Sequence, residues 1–272
     1  PDLLEIGQVL LLPEIPSTFT PNIQMLSDMG LIRSPHAKSF NLHTFLSSNT
    51  GYVNTVNDTV KTRLADGSEL SEVLTAEAII ERVSLEYSID TRVLLTFLEY
   101  HSRWLSQSDI AEELQDHPIV SIEESNGVDR SGLYKQLSWL ANELNRGYYD
   151  WKYRRRSILE FQDGYRLLYE PTLNAGTISL QYVLSLNNTV DQWLFDVSQD
   201  GFIAIYRQYF EGDFGDNIEV IQYPLNQPIL TLPFPPGDVW RFTGGFHGGW
   251  GGGSAWAALD FAPPDKREDG DP

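Results

Sequence analysis

Apolar residues recur every three or four positions through the middle of the chain, and this spacing predicts amphipathic helices. The first predicted helix covers residues 76–86, begins after a Thr75 cap, and directs Ile79, Ile80 and Val83 inward. Asp90 caps the next, whose inner stripe contains Leu94, Phe97, Leu98, His101 and Leu105. A third begins after Asp129 and ends at Gly147, and three more are predicted at 178–186, 190–197 and 202–210.

Strands are predicted only near the two ends of the chain. Residues 9–12 form an apolar run closed by Pro13, and residues 14–21 lack periodicity and are expected to be a linker. Residues 240–243 and 257–261 are predicted to be neighbouring strands joined by a glycine-rich connection. The fold class is therefore mainly α with a β-rich C-terminal part, and the polar residues 265–272 are expected to be disordered.

Composition narrows the classes of partner. Lys and Arg number 19 against 38 Asp and Glu, a net charge of −19, which argues against nucleic acid and against docking on anionic lipid. The absence of cysteine excludes a disulfide scaffold and a cysteine nucleophile. No apolar run has the length of a membrane span, so membrane insertion is not expected. The Pro1-Asp2 start, without a signal peptide, suggests a processed or trimmed chain.

Two potential metal ligands flank the glycine-rich connection. His247 lies within it, and Asp260 follows thirteen positions later in an apolar segment. Imidazole nitrogen and carboxylate oxygen are ligands that zinc accepts, and a catalytic zinc needs three protein ligands beside its open position. From the residues alone, an ordinary surface histidine and an aspartate that ends a strand remain the alternative.

The segments Thr243–His247 and Ser254–Phe261 resemble the start of the lysostaphin-type, β-lytic zinc metallopeptidases, which cut peptidoglycan cross-bridges. The resemblance implies that His247 and Asp260 are the first two zinc ligands. It also implies a later His-x-His segment that supplies the third ligand and a catalytic histidine. No two of the five histidines in this chain form such a segment. Residues 215–264 are therefore expected to be the N-terminal part of a peptidase domain, truncated in this chain and without catalytic residues of its own.

Residues 1–13 resemble the end of a lysin motif, the small module that binds N-acetylglucosamine chains. The resemblance rests on the last apolar turn, the Gly7-Gln8 pair and the closing strand that ends at Pro13. It implies cell-wall-binding modules upstream in the precursor. The alternative is an apolar N-terminal strand that pairs with the main domain.

Tyr87–Leu95 and Glu99–Trp104 resemble the first core helices of lysozyme-like transglycosylases. In that family a catalytic glutamate directly precedes a serine, whereas His101 precedes Ser102 here. Imidazole cannot replace a protonated carboxylic acid. Glu99 lies roughly 200° around the helix from His101, so it cannot simply substitute for that acid. Residues 22–214 are therefore expected to form a catalytically inactive lysozyme-like domain, with an unrelated helical bundle as the alternative.

Aromatic residues that could stack on sugar rings occur at two places in this helical region. The segment Gly147–Arg156 concentrates aromatic and cationic side chains, and an exposed face stabilised by cation–π contacts is the simpler interpretation. The glycan-binding hypothesis names Trp104, Tyr148, Tyr149 and Trp151.

The combined hypothesis is a secreted, extracellular bacterial cell-wall protein, the N-terminal part of a zinc-dependent peptidoglycan endopeptidase. Its partner would be peptidoglycan. The competing hypothesis is a non-catalytic structural or glycan-binding surface protein with a vestigial peptidase segment. In that case Trp240, Trp250 and Trp256 would pack for self-assembly. A third hypothesis is an active transglycosylase that uses Glu99; equal loss of cell-wall turbidity with the parent and with Glu99→Gln would remove it.

Overall fold

The computed structural model describes residues 16–34, 37, 39–63, 68–121, 124, 127–210, 234–235, 237–245 and 259–262. The helices are α1 (Asp28–Leu31), α2 (Leu42–Ser47), α3 (Ala76–Tyr87), α4 (Thr91–Ser102), α5 (Glu112–Asp116), α6 (Leu133–Lys152), α7 (Ala175–Ser185), α8 (Val190–Asp196) and α9 (Phe202–Tyr209). The strands are β1 (Asn57–Arg63), β2 (Glu69–Thr75), β3 (Ile158–Glu160), β4 (Arg166–Leu168), β5 (Arg241–Gly245) and β6 (Leu259–Ala262). They pair as three antiparallel hairpins, β1–β2, β3–β4 and β5–β6.

Helices α4 and α7 form the centre of the helical body. All of α7 is buried, and so is α4 from Thr91 to Glu99. Helix α6 packs along α7, and Gly147 makes this approach close because a Cβ there would lie 3.0 Å from the Ser179 Cα. Gly147 is therefore a packing residue inside α6, and the prediction that it ends the helix is wrong.

The predicted caps of α3 and α4 are confirmed, but the predicted cap of α6 is wrong. The Thr75 side chain accepts a hydrogen bond from the Ala78 amide, and Asp90 accepts one from the Arg92 amide. Asp129 instead binds Ser131 and Lys135.

The start of α6 is capped by a residue that is distant in sequence. The Asp58 carboxylate, on strand β1, accepts from the Tyr134 amide at 3.0 Å. Gly132 precedes the helix at φ 94°, and a Cβ at that position would lie 2.7 Å from the Asp58 carboxylate. A glycine therefore suits both the backbone angle and the approach of the carboxylate.

Part of the predicted linker is packed on the domain. Residues 18–20 run along β4, where the Thr20 amide donates to the Leu168 carbonyl and the Leu168 amide donates to the Thr18 carbonyl. Thr20 is buried, and its hydroxyl accepts from the Glu170 amide. The predicted lysin-motif segment 1–13 and the tail 265–272 lie outside the described residues.

Candidate functional site

The carboxylate of Glu99 has a structural role at the end of α4. Its side chain is buried, and one oxygen accepts from the Leu105 amide at 2.9 Å and from the Ser106 amide at 3.1 Å. The chain turns there through Arg103, at φ 59°, and Glu99 holds the amides beyond that turn. Glu99 is therefore engaged by backbone and does not line either of the two cavities described below, which argues against a transglycosylase acid at this position.

His101 lies on the wall of a cavity of about 560 Å³, at the position where the lysozyme-like resemblance would place the catalytic acid. The other polar groups on this wall include Glu113, His117 and Glu124. The His101 side chain is exposed on the cavity wall, and burial of its ring by the surrounding protein lowers the pKa of this imidazole, against the opposing effect of Glu124. We call this the histidine cavity. At pH 7 the His101 imidazole is mostly neutral, so it does not replace a protonated carboxylic acid.

A phenol–carboxylate pair, formed by the partly buried Tyr100 and the buried Asp196, links α4 to α8. The Tyr100 hydroxyl donates to Asp196, which also accepts from the Asn188 amide group at 2.6 Å. Burial raises the pKa of Asp196, and the hydrogen bond from Tyr100 acts in the opposite direction. The carboxylate is thus kept available as an acceptor by its two donors.

Replacing Tyr100 with phenylalanine should lower stability in a pH-dependent way. Because the pKa of Asp196 is raised on folding, the folded state holds its proton to higher pH than the unfolded state, and this group's contribution falls as pH rises. The Tyr100 bond offsets that loss once Asp196 is ionised. We expect Tyr100→Phe to cost about 1.5–3 kcal/mol of unfolding free energy at pH 7 and clearly less at pH 4. Urea denaturation at both pH values measures this, and Tyr165→Phe, at an exposed ring, should change neither value; a deficit equal at both pH values would contradict the assignment.

A second cavity, of about 580 Å³, lies where the end of α6 meets the start of α7. Its wall contains Trp151, Lys152, Arg154 and Arg156, with Leu173 and Pro171 as apolar neighbours. We call it the cationic cavity. Within an acidic protein it gathers positive charge and an aromatic ring, the two features that the sequence of Gly147–Arg156 indicates.

The four predicted glycan-binding residues differ in their placement. Trp104 is fully buried, donates its indole N–H to the Leu114 carbonyl at 3.0 Å and packs on Tyr52, so it has no face for a sugar and that prediction is corrected. Trp151 lines the cationic cavity and packs edge-on against Tyr169. Tyr148 donates to Asp28 at 3.3 Å, while Tyr149 stacks on a neighbouring tyrosine ring.

The predicted pairing of the two C-terminal strands is confirmed. Strands β5 and β6 are antiparallel, and Gly244 is opposite Asp260. His247 lies outside the described residues, as does the side chain of Asp260. Among the residues that the structure describes, no group of three or more His, Cys, Asp or Glu could hold a metal ion. Within that same part of the chain, no helix has the length and apolar character needed to cross a membrane.

Sequence comparison places the helical body in a family. The family model described as "LasA, N-terminal domain" matches residues 24–225. No curated protein and no solved structure matches the chain. Because the matched residues make up well over half of the 272, the chain belongs to the family of LasA N-terminal domains and is part of a LasA-type, peptidoglycan-related peptidase protein.

Proposed function

We propose that the chain is the N-terminal part of a secreted, zinc-dependent peptidoglycan endopeptidase, whose helical body binds the wall without cleaving its glycan strands. The observation that carries this proposal is the family match over residues 24–225, a range that contains the described helices α1 to α9. That range ends before His247 and Asp260, so the zinc assignment rests on the lysostaphin-type resemblance and on the β5–β6 hairpin.

The helical body is assigned a binding role because its candidate glycosidase groups are unsuited to catalysis. Glycoside hydrolysis needs a carboxylic acid beside the scissile oxygen. Glu99 is occupied by two backbone amides, and His101 is a neutral imidazole at pH 7. The aromatic and cationic groups of the second cavity suit wall recognition instead.

His247 and Asp260 have the donor chemistry for zinc, and the strand register supports their proximity. Asp260 pairs with Gly244, and His247 lies three residues beyond Gly244 in sequence. Three residues span at most about 11 Å, so the pairing is compatible with both side chains reaching one ion. When bound, zinc would lower the pKa of a water molecule and polarise a peptide carbonyl. The chain contains no His-x-His, so these two ligands are an incomplete set.

The zinc proposal is tested by equilibrium dialysis of the 272-residue chain against zinc. We expect zinc binding that weakens by at least about tenfold in His247→Ala and in Asp260→Ala, since each change removes a ligand from an incomplete set. His43→Ala is the matched control, because that imidazole is exposed and contacts Glu77. Equal zinc uptake by all four proteins would remove the zinc assignment of His247 and Asp260 and favour the competing hypothesis, in which the peptidase segment is vestigial.

The wall-binding part is tested by sedimentation with insoluble peptidoglycan. We expect the chain to sediment with the walls, with no fall in wall turbidity. A chain that stays in the supernatant contradicts the binding role, and a fall in turbidity that Glu99→Gln abolishes contradicts the non-catalytic assignment.

A further inference from the structure

The cationic cavity carries positive charge that the protein does not itself neutralise. Lys152 pairs with Asp28 at 2.6 Å, and Arg156 pairs with Asp150 at 3.3 Å. Arg154 has neither a hydrogen bond nor an ion pair from its side chain within the part of the chain that the structure describes, and it is exposed. One guanidinium on the cavity wall is therefore available to an anion.

The backbone at Arg154 is held in an unusual conformation. Its φ is 54°, in the left-handed region that non-glycine residues rarely adopt. This residue follows the C-terminus of α6, and its amide donates to the Trp151 carbonyl at 3.0 Å. The turn therefore keeps Arg154 on the same cavity wall as Trp151.

The cavity already binds one carboxylate, that of Asp28. One oxygen of Asp28 accepts from the Gly176 amide, in the first turn of α7, at 2.8 Å. The other contacts the Lys152 ammonium group and the Tyr148 hydroxyl. Lys152 on this wall, together with the neighbouring Tyr148 hydroxyl and Gly176 amide, thus binds carboxylate oxygens. Arg154 and Arg156 add two further guanidinium groups to the same cavity.

The remaining wall is apolar and aromatic. Trp151 is partly exposed, and Pro171 and Leu173 also line the cavity. A ring such as that of tryptophan suits the apolar face of a pyranose or a small aliphatic side chain. A ligand that fits both the cationic and the apolar part of the cavity wall carries a carboxylate beside a compact ring or aliphatic group.

From this geometry we propose that the cationic cavity is a binding site for a carboxylate-bearing unit of the wall polymer, with Arg154 as the residue that contacts the carboxylate. Arg156 supports it, and Trp151 packs against the adjoining sugar or aliphatic group. This inference rests on the proposed wall-binding function and adds to it the charge of the recognised unit. The carboxylate could belong to an acidic amino sugar or to a peptide attached to the glycan.

Calorimetric titrations of the 272-residue chain test the site with three soluble probes. They are N-acetylmuramic acid, an acidic sugar; the dipeptide D-alanyl-D-alanine, a peptide carboxylate; and N-acetylglucosamine, a neutral sugar. We expect one of the two acidic probes to bind, with an affinity that falls as salt is added. The neutral sugar should bind at least about tenfold more weakly, because a charge-assisted hydrogen bond contributes that much affinity. Which acidic probe binds identifies the source of the carboxylate.

Arg154→Gln should weaken binding of the acidic probe by about tenfold, and Arg154→Lys should retain part of the affinity. Lys61→Gln, at an exposed position on strand β1, should leave the affinity unchanged. Equal binding by Arg154→Gln and Lys61→Gln, preference for the neutral sugar, or no binding of either acid overturns the proposal.

Sedimentation with whole walls separates the proposed carboxylate site from the proposed wall-binding function. If the parent and Arg154→Gln sediment equally, wall binding stands and this site is excluded; if the parent does not sediment, wall binding itself fails.

Discussion

Asp90→Ala is expected to remove a large part of the protein's stability. Asp90 and Arg92 form an ion pair in which both side chains are fully buried, with a nitrogen–oxygen distance of 2.6 Å. The carboxylate accepts from two guanidinium nitrogens and also caps α4 through the Arg92 amide. Asp90→Ala removes, inside the core, the acceptor of two guanidinium N–H groups and the cap of α4, and breaking a buried pair in this way costs about 3–5 kcal/mol of unfolding free energy. Against a total of about 5–15 kcal/mol, this is a major loss.

Two further variants separate the effect of the buried charge on stability from the effect of the helix cap. Thr75→Ala removes the same kind of cap from α3 without exposing a buried charge, and should cost only about 1 kcal/mol. Asp90→Ser combined with Arg92→Met keeps a capping hydroxyl and replaces the pair by an apolar side chain, so it should be more stable than Asp90→Ala. Chemical denaturation measures all three. A cost for Asp90→Ala no larger than that of Thr75→Ala would contradict the buried-charge argument.

The elements that the sequence predicts well are those whose signals are local. Helices α3 and α4 combine a cap with an apolar stripe, and the caps are Thr75 and Asp90 as expected. Helices α7, α8 and α9 fall within one to three residues of their predicted bounds. In each case the stabilising contacts lie within a few positions in the chain, so periodicity and capping suffice.

The elements that the sequence does not predict depend on distant partners. The cap of α6 is Asp58, which lies 76 positions before the amide it binds. A glycine such as Gly147 is typical of a helix end, but here it lies inside α6, where it allows the close approach of α7. Trp104 has the exposed-aromatic appearance of a sugar contact, yet the turn around Glu99 and the neighbouring ring of Tyr52 bury it. None of these contacts leaves a periodic or short-range signal.

The candidate sites follow the same division. The cluster of cations and aromatics in Gly147–Arg156 is visible in the sequence, and Trp151, Lys152, Arg154 and Arg156 do line one cavity. The contribution of α7 to that cavity, and the placement of Asp28 on its wall, require the folded chain. The grouping of His101 with His117 in the histidine cavity is likewise unpredicted, because α5 and its following turn bring them together. The predicted zinc ligands His247 and Asp260 stay a prediction.

Gly51→Ala should be strongly destabilising, because the turn at Gly51 lies directly against the backbone that follows α4. A Cβ there would lie 2.2 Å from the Trp104 carbonyl oxygen and 2.3 Å from that of Leu105. The backbone angle is no obstacle, since φ is −71°. Relief of the clash must therefore separate the two segments and strain the hydrogen bonds from the Tyr52 and Val53 amides to the Gln107 and Trp104 carbonyls.

The expected cost of Gly51→Ala is about 3 kcal/mol or more of unfolding free energy, from overpacking together with two weakened hydrogen bonds. Gly164→Ala is the matched control. Gly164 has φ 80° with no atom within 4 Å of its added Cβ, so only the backbone conformation opposes alanine there, at about 1–2 kcal/mol. Urea denaturation of both variants ranks the two effects. If Gly51→Ala is no less stable than Gly164→Ala, the 51–53 turn does not lie against the Trp104 carbonyl.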